Sequence, residues 1–149
     1  MRVLVTGMSG VGKTTVVREL HCRGHVVIDT DDGWCVQHAD GTQSWDLDRL
    51  RPQLEAESLV VAGCEENMVE LLDAFDYIVL LVAPLEVLRA RVESRTTNDF
   101  GKSADEWARI ESAVATVEPS LRSIATVVID TSRCLAAEVA DDIEHLLGS

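Results

Sequence analysis

Five short apolar segments rich in β-branched residues recur along the chain, and stretches with helical spacing separate them. Their apolar residues run continuously instead of alternating with polar ones, which is typical of strands buried on both faces of a sheet. The predicted strands cover residues 3–6, 26–28, 59–62, 77–82 and 126–129. A sheet made of such strands is expected to be parallel and to have both of its faces covered.

Six stretches place their apolar residues at helical spacing, and they cover residues 13–22, 46–57, 65–74, 85–94, 103–117 and 134–147. Gly24 follows the first of them as a C-terminal cap, and Pro84 begins another. Strands that alternate with helices predict an α/β fold in which right-handed crossovers place helices on both faces of a parallel sheet. Segments 30–44 and 96–102 lack both patterns and are predicted to be irregular.

The length of 149 residues fits one domain, so we expect a single unit over residues 1–149. No apolar run approaches the roughly 18 residues of a membrane-spanning helix, and the first residues lack the layout of a signal peptide. The four cysteines form no C-x-x-C pair, as is usual for reduced thiols. We therefore expect a cytoplasmic protein without a membrane partner.

The chain is strongly acidic, with 26 acidic against 13 basic residues and a net charge of −13. Long-range repulsion of phosphate backbones argues against a nucleic-acid partner. Any polyanionic ligand must therefore be bound by local groups, and the positions of the few cations become informative.

Residues 3–20, "VLVTGMSGVGKTTVVREL", contain the clearest chemical motif. Gly7, Gly12, Lys13 and Thr14 match G-x-x-x-x-G-K-[ST], a loop whose backbone N–H groups wrap phosphates at a helix N-terminus. Lys13 is expected to reach the β- and γ-phosphates, and the Thr14 hydroxyl is expected to bind Mg²⁺. The motif lies between a predicted strand and a predicted helix, which is the placement that such a loop requires.

The stretch "GMSGVGKTT" after an N-terminal strand resembles the P-loop kinases of the shikimate, gluconate and nucleoside-monophosphate (adenylate) kinase group. The resemblance covers nearly the whole chain and implies a three-layer P-loop NTPase fold with a five-stranded parallel sheet of order 2-3-1-4-5. It also implies ATP and Mg²⁺ as cofactors. The loop residues that it assigns to the nucleotide are Gly7, Ser9, Gly10, Val11, Gly12, Lys13, Thr14 and Thr15.

Three carboxylates follow the second predicted strand in "VVIDTDD", at the strand end where open α/β sheets bind ligands. Alternation along an extended chain places Asp29 and Asp31 on one side and Asp32 on the other. Shikimate kinases have a similar D-T-D pattern, which implies that Asp29 joins Thr14 in the metal site and that Asp31 is catalytic on a substrate hydroxyl. The alternative interpretation is that these carboxylates belong to a solvent-exposed turn. Which of Asp29 and Asp31 binds the metal is left open.

We expect the acceptor to bind between about residues 30 and 57, where the sequence departs from that of shikimate kinases. The glycine triplet after the third strand is reduced to Gly63 in "VAGCEEN". Arg49 and Arg51 are candidates for binding a substrate carboxylate, but the pattern around them does not match. Shikimate itself is therefore disfavoured as the acceptor.

Four further residues near this region have two interpretations each. Trp34 and Trp45 are expected either to line the acceptor pocket or to pack under a long loop. Glu65 and Glu66 open a predicted helix, where carboxylates stabilise the helix dipole; substrate contact is the alternative.

Arg91 and Arg95 lie four residues apart, hence on one helix face. Nucleoside-monophosphate kinases have a similar layout, which implies that Arg91 stacks on the adenine and that Arg95 is catalytic because it neutralises the transferring phosphoryl group. The alternative interpretation is that both arginines lie on a solvent-exposed face of the helix. The helix leads into a short lid at about residues 95–103, with Gly101 as a hinge, and Lys102 and Arg109 are expected to assist after closure.

The stretch from residue 126 resembles the last strand, loop and helix of the same kinases. Its loop, residues 131–134, would contact the adenine edge, which places Arg133 among the nucleotide-binding residues. The sequence thus predicts an ATP- and Mg²⁺-dependent kinase that phosphorylates a small hydroxylated metabolite. The alternatives are a nucleoside or nucleoside-monophosphate kinase and an ATP-binding regulatory switch; the oligomeric state is left open between monomer and weak dimer.

Overall fold

The computed structural model describes residues 1–96 and 98–148. Its strands are β1 (Arg2–Thr6), β2 (Val27–Asp29), β3 (Cys35–Gln37), β4 (Gln43–Trp45), β5 (Leu59–Ala62), β6 (Tyr77–Val82) and β7 (Val127–Asp130). All strands except β3 and β4 belong to one parallel sheet, and those two form an antiparallel hairpin. The five strands of the parallel sheet agree with the predicted strands within one residue at each end, which is within the usual spread of element boundaries.

The order of the parallel sheet is β2-β5-β1-β6-β7. Because β3 and β4 belong to the hairpin, counting the strands of this sheet alone gives the predicted order 2-3-1-4-5. The central strand is β1, where Val3 pairs with Val60 on one side and with Tyr77 on the other. The loop after β1 therefore leaves the middle of the sheet at its carboxyl edge, and the predicted fold class is confirmed.

The α-helices are α1 (Lys13–Cys22), α2 (Leu47–Gln53), α3 (Leu85–Ser94), α4 (Ala104–Thr116), α5 (Glu118–Ile124) and α6 (Ala136–Leu147), and a 3-10 helix covers Glu66–Ala74. They flank the sheet. Arg23, directly after α1, ties that helix to α6 by donating to Asp141 at 2.6 Å and to Glu144 at 2.8 Å.

The hairpin lies in a segment that the sequence predicted to be irregular. Strands of three residues are too short to produce a clear alternating pattern. The turn between them contains Asp40 and Gly41, and Gly41 has a φ of 85°, the left-handed conformation for which Asp-Gly turns are selected. That dipeptide is the signal from which the hairpin could have been predicted.

Three helical predictions also need correction. The helix expected over 46–57 ends at Gln53, and residues 65–74 form a 3-10 helix whose buried Met68 and Leu71 are three apart, as that helix type requires. Helix α5 was not predicted at all. Pro119 lies in its first turn, where the missing N–H removes no intrahelical hydrogen bond and so allows a new helix to begin.

The parallel strands carry the core, and every residue of β5 is buried. Trp45, at the end of the hairpin, is 2% exposed and belongs to the same core. No helix within the described part of the chain is long and apolar enough to cross a membrane.

Candidate active site

The loop between β1 and α1 depends on glycines in conformations that other residues avoid. Gly10 has a φ of 89° and Gly12, the N-cap of α1, a φ of 103°, both in the left-handed region where a Cβ is strained. At Gly7 a Cβ would collide with the carbonyl oxygen of Leu81. The loop is therefore held against β6 by close packing that glycine alone permits.

Lys13 opens α1 and turns its amine back over the loop. Its Nζ donates to the carbonyl oxygens of Gly7 at 2.5 Å and Met8 at 3.1 Å. Burial lowers the pKa of Lys13, while the nearby charges of Asp31 and Asp29 oppose that shift. Neutral carbonyl oxygens are weaker partners for the Lys13 ammonium than an anion is. A phosphate group in the loop would supply that anionic partner.

Thr14 and Asp29 form a pair of oxygen ligands below the loop. The Thr14 hydroxyl donates to Asp29 Oδ2 at 2.8 Å, and the backbone N–H of Asp31 donates to Asp29 Oδ1 at 3.1 Å. Hydroxyl and carboxylate oxygens are the ligands that Mg²⁺ prefers. The predicted metal residues are thus adjacent, and their chemistry fits that ion.

The loop, α1 and the end of α3 enclose a pocket of about 310 Å³. Its lining is polar and consists of Ser9, Gly10, Gly12, Lys13, Thr14, Thr15, Arg18, Asp31, Arg91, Ser94, Arg95 and Asn98. Val11 is absent from this lining because its side chain is fully buried, and its N–H donates to Met8 O at 3.3 Å. The structure thus brings most of the predicted nucleotide-binding residues around one pocket.

Arg91 is held by the phosphate-binding loop itself. Its guanidinium donates to the Thr131 hydroxyl at 2.8 Å, to the Thr131 carbonyl at 2.9 Å and to the carbonyl of Gly10 at 3.2 Å. The Thr131 hydroxyl in turn donates to the carbonyl of Val11 at 2.7 Å. Arg91 therefore joins α3, the loop and the end of β7, a structural task that the predicted adenine stacking did not include.

Arg95 lies at the end of α3 over the mouth of the same pocket. It donates to Ser9 Oγ at 3.2 Å and to Asn98 O at 2.9 Å. Burial lowers the pKa of Arg95, and the charge of Asp31 opposes that shift. Its guanidinium thus lies between the phosphate-binding loop and the predicted lid, as a phosphate-binding role requires.

The predicted lid is only partly described, because Thr97 lies outside the described residues. Asn98 and Phe100 line the cavities near the loop. Gly101 is buried, and a Cβ there would lie 2.6 Å from Ile110 Cδ1 and 2.7 Å from Val92 Cγ1. The predicted hinge glycine is therefore packed against α3 and α4.

A second cavity of about 930 Å³ opens beside the loop, between the hairpin, the 3-10 helix and helices α4 and α5. Its polar end includes Asp31, Glu65 and Glu66, and its apolar wall includes Met68 and Ile110. Among the described residues, four line both cavities: Ser9, Lys13, Asp31 and Asn98. Lys13 and Asp31 therefore lie where the phosphate pocket meets this second cavity.

Burial raises the pKa of Asp31; the charge of Lys13 opposes the shift, and that of Asp29 adds to it. Neither Asp29 nor Asp32 lines a cavity, and Asp29 contacts Thr14 instead, so the predicted grouping of Asp29 with Asp31 stays a prediction. From the predicted acceptor region, residues 30–57, the cavity lining includes Asp31, Gln37, Gly41 and Gln43. The hairpin therefore supplies much of the wall that the sequence placed in an irregular loop.

Of the two interpretations of Glu65, its contacts favour a place on the acceptor side over stabilisation of a helix dipole. It precedes the 3-10 helix without a side-chain capping bond, and its carboxylate accepts from Gln43 Nε2 at 2.6 Å inside the cavity. Burial raises the pKa of Glu65. Its position directly after β5, at the same sheet edge as Asp29, was the available signal.

The carboxylates of Asp31 and Glu65 and the thiol of Cys35 place one atom each within 4.8 Å of one another. Burial raises the pKa of Cys35 to about 11, and the thiol donates to Thr30 O at 3.2 Å. Beside the two carboxylates the thiol thus acts as a hydrogen-bond donor and not as an anion.

The remaining predicted candidates lie away from both cavities. Trp45 is a core residue, and Trp34 packs against Arg49, whose guanidinium lies 4.5 Å from the ring centroid. Arg133 is 84% exposed, with its Nε 3.9 Å from Asp130 Oδ2. Neither tryptophan lines the second cavity, which supports the packing interpretation, and the nucleotide contact of Arg133 stays a prediction.

Comparison with known proteins supports a nucleotide-dependent interpretation of this site. A protein-family model described as an AAA domain matches residues 3–111. A shikimate kinase of Halorhodospira halophila is 30% identical to this chain over an alignment of 166 positions. The alignment covers 98% of this chain and 93% of that protein.

Solved structures share the fold at lower identity. A shikimate kinase from Acinetobacter baumannii in complex with shikimate has a TM-score of 0.70 at 20% identity, covering 97% of this chain and 91% of that chain. A gluconokinase from Sinorhizobium meliloti has a TM-score of 0.60 at 20% identity, covering 99% of this chain and 93% of that chain.

Proposed function

The chain belongs to the P-loop small-molecule kinases, which are ATP-dependent phosphotransferases, and from that premise we propose that it transfers the γ-phosphoryl group of Mg-ATP to the hydroxyl of a small metabolite. The observation that carries this proposal is the meeting of the two cavities at Lys13 and Asp31. A nucleotide phosphate in one cavity and a hydroxyl in the other would face each other there.

Lys13, the loop N–H groups and Arg95 hold the phosphates and neutralise charge that develops during transfer. Phosphoryl transfer depends mainly on such positioning and charge stabilisation. Thr14 and Asp29 would hold Mg²⁺, which supplies further charge neutralisation at the phosphate oxygens when bound. The N–H of Asp31 fixes one oxygen of Asp29, so the orientation of the metal ligand is coupled to the acceptor side.

Asp31 orients the acceptor hydroxyl and accepts its proton. The hydroxyl oxygen forms a bond to the γ-phosphorus, the bond from that phosphorus to the β,γ-bridging oxygen breaks, and ADP leaves with the electron pair. The carboxylate must be ionised to take the proton, and burial that raises the pKa of Asp31 brings its basicity closer to that task.

The proposal is tested by ADP release from Mg-ATP across nucleosides, nucleoside monophosphates, neutral sugars, sugar acids and amino alcohols. Stimulation by a hydroxylated metabolite is expected, and Lys13→Ala should lower the stimulated rate by about a hundredfold or more, as for a main electrostatic stabiliser. Wild-type rates in that variant would contradict the assignment.

Two other outcomes identify the alternatives. Stimulation by nucleoside monophosphates alone would make the chain a nucleotide kinase, although an anionic acceptor requires cations where Asp31 and Glu65 lie. Tight ATP binding with no stimulation by any acceptor would indicate a regulatory switch whose closure acts on a partner protein.

A further inference from the structure

The acceptor end of the larger cavity carries an excess of negative charge. Asp31, Glu65 and Glu66 line it, against Lys13 and Arg109 as the cations among the described lining residues. Lys13 serves the phosphates in the proposed function, so three carboxylates face the acceptor with one arginine. A hydroxy acid would bring a further negative charge into this environment.

Two of these carboxylates are close together. An oxygen of Asp31 and an oxygen of Glu65 lie within 4.8 Å of each other, where like charges in a partly desolvated cavity repel. Gln43 donates to one Glu65 oxygen at 2.6 Å, but an amide carries no charge. The charge of Lys13 already acts on both groups, and a cation between the two carboxylates would reduce their repulsion further.

The arginines near the acceptor region are held in other contacts. Arg49 donates to Gly33 O at 2.6 Å and lies over the Trp34 ring. Arg95 donates to Ser9 and Asn98 on the phosphate side. Neither lines the larger cavity, so a bidentate contact between either arginine and a carboxylate of the acceptor would require their present bonds to break.

One wall of the cavity is mainly apolar. Met68, Val69 and Leu72 of the 3-10 helix face Ile110 and Leu121 of α4 and α5 across it. A volume of about 930 Å³ exceeds what a small polyol fills. An acceptor matched to this wall has an apolar body beyond its polar end.

We propose that the acceptor is an amino alcohol with an apolar body, whose hydroxyl binds Asp31 and whose ammonium binds Glu65. This inference rests on the proposed kinase function and names its substrate class. Two carboxylate oxygens within 4.8 Å of each other can each accept a hydrogen bond from one of two donors on neighbouring carbons, here a hydroxyl and an amine. The phosphoryl group moves to the hydroxyl, and the ammonium keeps its protons throughout.

Three compounds with the same phenyl-bearing body test the charge preference: phenylalaninol, 3-phenylpropane-1,2-diol and 3-phenyllactate, which are cationic, neutral and anionic. We measure acceptor-stimulated ADP release and confirm the phosphomonoester product by phosphorus NMR. The kcat/KM for phenylalaninol should exceed that for the diol by about tenfold or more, the size of one charge-assisted hydrogen bond. The 3-phenyllactate rate should be lowest.

Glu65→Gln should abolish that preference by lowering the kcat/KM for phenylalaninol to that for the diol, since an amide still accepts a hydrogen bond but lacks the charge. Glu70→Gln is the matched control, because Glu70 is an exposed residue of the same 3-10 helix and does not line the cavity. Its preference should equal that of the wild type.

Preference for 3-phenyllactate, with that activity lost in Arg109→Ala, would overturn the amino-alcohol proposal and leave the kinase function intact. An equal preference in wild type and Glu65→Gln would also overturn it. Calorimetric binding of phenylalaninol in the presence of Mg-ADP separates the two proposals. Saturable binding that depends on Glu65 but gives no phosphoryl transfer would contradict the kinase function while supporting the ammonium site.

Discussion

Thr131→Val tests whether Arg91 anchors the phosphate-binding loop. Thr131 is 7% exposed, accepts from Arg91 Nη1 at 2.8 Å and donates to Val11 O at 2.7 Å. Valine keeps the shape of the side chain and removes both bonds. Arg91 retains its bond to the Thr131 carbonyl, so the loss corresponds to one charge-assisted and one neutral hydrogen bond, partly compensated.

A hydrogen bond to a charged group contributes about 1.5–3 kcal/mol and a neutral one about 1 kcal/mol, so with this compensation we expect a loss of about 2 kcal/mol in the free energy of unfolding. For a chain of this size that corresponds to a decrease of about 4–8 °C in Tm. ATP binding should weaken as well, because the freed loop loses its preorganised shape. Thermal and urea unfolding measure the first effect, and titration with Mg-ATP measures the second.

Thr116→Val is the matched control, since the exposed Thr116 hydroxyl also donates to a carbonyl, that of Ser112 at 2.8 Å. We expect it to change stability by less than about 0.5 kcal/mol. If Thr131→Val were no more destabilising than Thr116→Val, the anchoring role of Arg91 would be refuted. Arg91 would then be free for the predicted adenine contact.

Three further predictions concern the metal ligands, the catalytic base and the lid. Asp29→Asn should raise the Mg²⁺ concentration for half-maximal activity by about tenfold or more, because Asp29 pairs with the Thr14 hydroxyl. Asp32→Asn changes an exposed carboxylate of the same turn and should not; equal effects would remove Asp29 from the metal site. Asp31 must be ionised to accept a proton, and its pKa is raised, so kcat/KM should fall with decreasing pH at a midpoint above 3.8. A midpoint at or below that value, or the same acid limb in Asp31→Asn, would contradict the assignment. Gly101→Ala should destabilise the fold by about 1–3 kcal/mol more than Gly24→Ala. Both glycines have left-handed φ values, 93° and 94°, but of the two only Gly101 is tightly packed. Similar losses of stability in the two variants would show that the packing at Gly101 is loose.

The sequence predicted the parallel sheet and the phosphate-binding loop because both are encoded locally. Continuous apolar strands carry the sheet, and Gly10 and Gly12 stand where the backbone takes left-handed φ values. The hairpin was missed because its strands are three residues long. Helix α5 was missed because Pro119 interrupts the helical spacing, although a proline in the first turn can begin a new helix.

The acceptor side could be predicted only in part. Asp31 was identified from its position after a buried strand, but the proximity of Glu65 depends on β2 and β5 being neighbours in the sheet. The structural contacts of Arg91 depend on Thr131, which is 40 residues away in sequence. Spacing along one helix cannot distinguish a side chain that faces a ligand from one that holds a loop.

The central claim is that Asp31 serves the acceptor hydroxyl while the loop holds ATP, and Asp31→Asn tests it most directly. Transfer of the γ-phosphoryl group to a stimulating acceptor is measured beside the Kd for Mg-ATP in the same variant. We predict that transfer falls by about a hundredfold or more, as for loss of a general base, while the Kd for Mg-ATP stays at the wild-type value. Wild-type transfer, or a parallel loss of ATP binding, would contradict the account.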